Sequence, residues 1–176
     1  VKTLTADTYP AVEELKDIKI TSSNKKFLDY SKSLINSTHK QIQTSDIIIF
    51  NTNDINKEKA IVQSITKIAG NLRPEQNLIL VKTYKTLTKN PMRINRGYVK
   101  NSNEIYQEID QTDNHKTIDS IAMEYKNVFV INLSKGELYN DLPFYKDTLL
   151  YYDSNHLNQR AARLLAKDVK PQLEEI

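Results

Sequence analysis

Cysteine is absent from the 176 residues, which excludes a disulfide scaffold, a thiolate metal site and a cysteine nucleophile together. Only three glycines occur, Gly70, Gly97 and Gly136, and none falls in the spacing of a dinucleotide-binding or P-loop fingerprint. No run approaches the ~20 consecutive apolar residues that a membrane-spanning helix requires. A large excess of one charge is lacking too. Lys and Arg total 25 against 22 Asp and Glu, and a net +3 so dispersed gives no argument for a nucleic-acid partner. What remains, 39% hydrophobic and 27% charged residues, is an ordinary globular composition at a length suited to one domain.

Residues 2–6 read as a short strand, and Pro10 suits the first position of a helix carrying Val12 and Leu15. A weak strand is expected at Lys19 to Thr21 and a helix over 25–37. Asp46 to Phe50 is a β-branched apolar run, the pattern of a strand buried on both faces. A helix from Ile55 to Ala69 follows, with Gly70 as its stop. Asn77 to Tyr84 repeats the buried-strand signal. Lys85 to Asn103 reads as a polar surface loop, Glu104 to Lys126 as a helix with room for an interruption near Asp113-Asn114, and Val128 to Ile131 as the last strong strand. A final helix starts near Leu157, with Asn158 as its N-cap, and Pro171 is expected to end it early. Alternation of this kind implies an α/β fold in three layers, α/β/α, with a parallel sheet in a single domain over residues 1–176.

Ligands of such sheets sit beyond the carboxyl ends of the strands. Three polar clusters fall at or near such places: Asp7-Thr8, Asn51 to Asp54, and Asp153 to His156. The last is the most informative. A carboxylate three residues ahead of a histidine can fix the imidazole tautomer and support its charged form, as a general base serving a hydroxyl nucleophile requires. A turn that merely caps the following helix would carry the same residues.

Tyr151-Tyr152-Asp153-Ser154-Asn155-His156-Leu157 and the Ala-rich helix behind it resemble the last block of the SGNH (GDSL-type) hydrolases, closest to the version in bacterial O-acetyltransferases. The resemblance implies a flavodoxin-like sheet, His156 as catalytic base and Asp153 as its orienting carboxylate. Ala6-Asp7-Thr8 stands where that family has Gly-Asp-Ser, which implies Thr8 as nucleophile and Asp7 as an oxyanion or substrate-binding residue. Asn53-Asp54 matches the end of the Gly-x-Asn-Asp block and implies Asn53 as an oxyanion donor. Thr8 could instead only hydrogen-bond the turn, and Asn53 could serve an Asx-type turn. The second-block glycine has no counterpart, since no glycine precedes residue 70.

The implied activity is acyl transfer to or from hydroxyls of a bacterial envelope glycan, polysaccharide or peptidoglycan. The implied setting is the periplasmic or extracellular face of the cytoplasmic membrane, tethered through a parent protein whose membrane acyltransferase-3 domain is the partner. The rival from another class is a catalytically silent domain that binds glycan or acts as a scaffold. Thr3-Leu4-Thr5-Ala6-Asp7-Thr8 also looks like the phosphate loop of flavodoxins, a reading that would bring FMN but leaves Asp153 and His156 without a task. No cofactor and no metal are expected. His39 and His115 read as surface residues, and most of the ten tyrosines as packing around the sheet. The basic stretch Lys82 to Arg96 reads as a solvated face.

Overall fold

The computed structural model describes residues 25–51, 55, 59–91 and 108–176. The strands expected at 2–6 and 19–21, the helix after Pro10 and residues 92–96 of the basic stretch lie outside the described residues. The chain is mixed α/β, with helices flanking a parallel sheet of three strands in the order β1-β2-β3: β1 Ile47–Asn51, β2 Asn77–Lys82 and β3 Val128–Asn132. Two compact units divide it. One comprises residues up to Leu80 together with Asp113–Val130, and the other Val81–Thr112 together with Ile131–Ile176.

The first unit is built on the apolar periodicity already visible in the chain. Helix α1 (Lys25–Thr44) runs beyond the expected residue 37, and the reason is at its end. Its terminal carbonyls would be orphaned, but the Gln76 side-chain amide donates to Ile42 O and Ser45 O, and the Arg73 guanidinium donates to Gln43 O. Helix α2 (Lys59–Gly70) closes at Gly70 as expected. Helix α3 (Thr112–Glu124) runs unbroken through Asp113-Asn114, and the break in the run expected as helix falls at residues 108–111, where Asp110 Oδ1 takes both the backbone N–H and the hydroxyl of Thr112, an Asx-type turn that competes with helix. Ile61 and Ile65 of α2, Leu78 and Leu80 of β2, Ile118 and Ile121 of α3 and Val128 of β3 form one buried cluster.

β2 matches the expectation of burial on both faces, its four central residues Leu78 to Val81 being buried. β1 does not. Ile48 and Phe50 pack on the core, whereas Ile47 and Ile49 are 56% and 62% exposed. β1 lies at one edge of the sheet formed by the described strands, and the two-residue period of a strand sends alternate side chains to a face that no described element covers.

The second unit centres on Leu87, Leu138, Tyr139, Leu150, Tyr151, Ala161 and Leu165. A 3-10 turn (Glu137–Tyr139) leads to a hairpin of β4 (Phe144–Tyr145) and β5 (Thr148–Leu149), whose loop residues Lys146 and Asp147 both have positive φ, as a tight two-residue hairpin loop demands. Leu87 and Pro91 are buried, so the start of the loop expected to be wholly surface is a core contributor.

Helix α4 (Gln159–Glu174) passes through Pro171 rather than ending before it. Beyond the proline, the Gln172 side chain accepts from Asn132 N (2.8 Å) and donates to Asn132 O (3.2 Å), which fastens the last turn to the end of β3 and offsets the lost helical hydrogen bond. At its other end Asn158 caps the helix as expected, Oδ1 accepting from Ala161 N at 2.9 Å while Nδ2 donates to Leu149 O. Asn158→Ala is therefore expected to cost about 1–2 kcal/mol in a denaturant titration. Asn158→Asp, which keeps the cap and loses only the second bond, should fall between the two proteins. Equal stability of all three would mean that the cap contributes nothing.

Candidate active site

The Asp–His pair lies in the second unit, in the turn between Tyr151 and Asn158. Tyr151 and Leu157 form an antiparallel bridge, and Tyr152 N donates to His156 O at 2.8 Å, so residues 152–156 close into a small loop. Inside it Asp153 Oδ1 accepts from Asn155 N (2.7 Å) and His156 N (2.8 Å), the local bonding that makes aspartate a turn residue. The same carboxylate holds the ring. His156 Nδ1 lies 3.0 Å from Oδ1 and 2.8 Å from Oδ2.

An ionised carboxylate only accepts, so Nδ1 carries the proton and Nε2 is the basic nitrogen of the neutral imidazole. Nε2 has no hydrogen-bond partner among the described residues, and the His156 side chain is 70% exposed. The arrangement can take a proton at Nε2 while Asp153 stabilises the imidazolium that results.

The imidazole bond and then the Asn155 backbone N–H, helped by the His156 N–H, hold the Asp153 carboxyl below the usual aspartate range against the opposing effect of burial. A carboxyl whose folded pKa is depressed contributes stability that is present above its unfolded pKa and is lost as pH falls through the folded one. Asp153→Asn is therefore expected to flatten the acid side of the stability profile between about pH 2 and 5. The effect is small, because the group is solvent-exposed. Unchanged profiles for the two proteins would show that the carboxylate is no more favoured in the fold than out of it.

The turn is held by the segment that follows β2. Leu87 N donates to Ser154 O (2.8 Å), the Tyr84 hydroxyl to Asn155 O (2.7 Å), and the Tyr151 hydroxyl to Lys85 O (2.7 Å). Burial, and then the nearby Asp153 charge, push the Tyr84 hydroxyl pKa up. Burial also raises that of Tyr151, which is 1% exposed. Lys85 is tied in turn to Glu108 at 2.5 Å. The Asp–His turn thus rests against the stretch beyond the carboxyl end of a sheet strand, where α/β folds place their sites.

Tyr84 and Lys85 were not among the residues singled out from the sequence. Their bonds to the turn span 71 and 66 positions, so no local pattern announces them, although a tyrosine just past a strand end is a position to inspect. Of the five expected site residues, Asp153 and His156 are brought together, and Asp7, Thr8 and Asn53 lie outside the described residues. His39 is exposed, within hydrogen-bond distance of the Gln43 side chain, whereas His115 is half-buried rather than a surface residue. Tyr139 and Tyr151 are core residues with their hydroxyls bonded to backbone carbonyls, while Tyr152 is 57% exposed. Among the described residues no group of three His, Asp or Glu could hold a metal ion.

Comparison with family models, with curated proteins and with solved structures returns no match for this chain.

Proposed function

We propose that the chain is an SGNH-type domain of three α/β/α layers that transfers acyl groups to or from hydroxyls of a bacterial envelope glycan. The observation that carries this reading is the His156 ring, bonded through Nδ1 to Asp153 and free at Nε2 among the described residues, at a turn beyond a strand end. In the proposed reaction the Thr8 hydroxyl oxygen attacks the acyl carbon and gives its proton to His156 Nε2. The tetrahedral oxyanion is met by the Asn53 amide and a backbone N–H. It collapses with release of the donor alcohol, which takes the proton back from Nε2, and leaves an acyl ester on Thr8. A glycan hydroxyl or water, deprotonated by the same imidazole, then removes the acyl group. The membrane acyltransferase-3 domain of a parent protein would supply acyl groups on the outer face of the cytoplasmic membrane.

One sequence observation favours a second reading, a silent glycan-binding or scaffold domain: threonine replaces serine, and its β-methyl crowds the attacking oxygen. Hydrolysis of p-nitrophenyl acetate by the whole chain separates the two. Active protein should release nitrophenolate above the buffer rate and lose about 10²–10⁴-fold of that rate in His156→Gln. Wild type at the buffer rate would leave the silent domain as the reading.

A further inference from the structure

Helix α4 has two faces of different chemistry. Ala161 and Leu165 are buried and Val169 packs against them. Arg160, Arg163, Lys167 and Lys170 are all exposed. At 3.6 residues per turn these four cations fall within an arc of about 80° along about 15 Å of helix. Among the described residues only Lys170 of the four pairs with a carboxylate, Glu174 at 3.5 Å.

Lys167 belongs to a second feature, a cleft of about 370 Å³ between α4, the 3-10 turn and β4. Ligand pockets run from roughly 300 to 1,000 Å³, so this one suits a single small ring. Its apolar wall is Leu138, Leu164 and the Tyr145 ring, and its polar groups are Lys167, Glu137 and Asp168. Gly136 has φ 131°, and a side chain there would meet Asp168 Oδ2 at 2.8 Å, so glycine lets the turn come close to Asp168.

An aromatic and leucine wall facing one ammonium and two carboxylates matches a pyranose, which has apolar C–H faces and a rim of hydroxyls that donate and accept. A phosphate or carboxylate turned toward Glu137 and Asp168 would meet like charge, whereas sugar hydroxyls would find acceptors there, so a uronate ring would seat with its carboxylate turned toward Lys167. Anionic groups belong on the helix stripe that continues from Lys167. We infer that this cleft is a subsite for one sugar ring of an acidic glycan, whose charged neighbouring units lie along the basic face of α4. The inference rests on the glycan reading above and names its substrate class.

Calorimetric titration of the full chain with hexagalacturonate, with neutral maltohexaose and with polyphosphate tests it. Hexagalacturonate should bind at least about tenfold more tightly than maltohexaose at low ionic strength, with the preference shrinking in salt. Arg163→Gln should reduce the preference, while Tyr145→Ala and Lys167→Gln should each weaken hexagalacturonate by about fivefold or more. Lys167 is exposed, so its variant reports on binding even where loss of Tyr145 disturbs the fold. Absence of hexagalacturonate binding overturns the inference. So does polyphosphate binding as tightly with no effect of Tyr145→Ala or Lys167→Gln, which would reveal a patch that attracts any polyanion. Acetyl-ester hydrolysis needs no glycan and is read separately. Binding without hydrolysis removes the enzymatic reading alone, and hydrolysis without binding removes the subsite alone.

Discussion

Thr8→Ser is expected to raise the rate of p-nitrophenyl acetate hydrolysis by about tenfold, which corresponds to about 1.4 kcal/mol of barrier. Loss of the β-methyl frees the attacking oxygen to reach a second χ1 rotamer without altering the Asp153–His156 pair. Two controls bracket that gain. Thr8→Val keeps the shape but removes the hydroxyl, and it should return the rate to that of buffer. His156→Ala in the serine background should remove about 10²–10⁴-fold, because a hydroxyl near neutral pH needs a positioned base. Thr8→Ser with no gain, together with Thr8→Val as active as wild type, would remove Thr8 from the proposed reaction. A rate indifferent to His156 would remove the imidazole.

The largest stability effect is expected at Tyr151. Its ring is 1% exposed within the second core cluster, and its hydroxyl reaches Lys85 O at 2.7 Å. Tyr151→Ala removes both the ring and the hydrogen bond and should cost about 3–5 kcal/mol, with a void where the ring was. Tyr151→Phe keeps the ring and leaves the Lys85 carbonyl without its donor, at about 1–3 kcal/mol. Denaturant titrations of the three proteins would separate packing from hydrogen bonding. The alanine variant should also lose esterase activity beyond its loss of folded protein, since Tyr151 is the residue from which the Asp–His turn departs. Equal and small losses for the two variants would mean that the site tolerates a mobile turn.

The parts of the fold that could be read from the chain are those whose cause is local. Short apolar runs marked β1, β2 and β3, Gly70 marked the end of α2, and Asn158 marked the start of α4. The parts misread have causes elsewhere in the sequence. Pro171 looked terminal until Gln172 met Asn132, forty positions away. Residue 37 looked like the end of α1 because the donors that cap Ile42 and Gln43 come from residues 73 and 76. Ile47 and Ile49 are exposed because no described element covers their face of β1, and composition does not encode which face is covered.

The candidate site divides in the same way. Asp153 and His156 were legible because both their side-chain and backbone bonds close within three residues. Tyr84, Lys85 and Leu87, which hold that turn, were not, because they meet it only after the chain has folded back on itself.

That return path carries an entropic cost. The Asp–His turn's internal bonds involve only residues 151–157, whereas its supports at 84–87 lie some seventy positions earlier in the chain and must be brought back to it. Closing a loop of that size costs configurational entropy that rises as (3/2)RT ln n, about 0.6 kcal/mol for each doubling of length. Short-range elements reach their geometry before this closure is repaid, because contact formation slows as sequence separation grows. The turn that would accept the proton is thus local in its own bonds and long-range in its anchoring, so the closure that links residues 84–87 to 151–155 is what turns a local motif into a site.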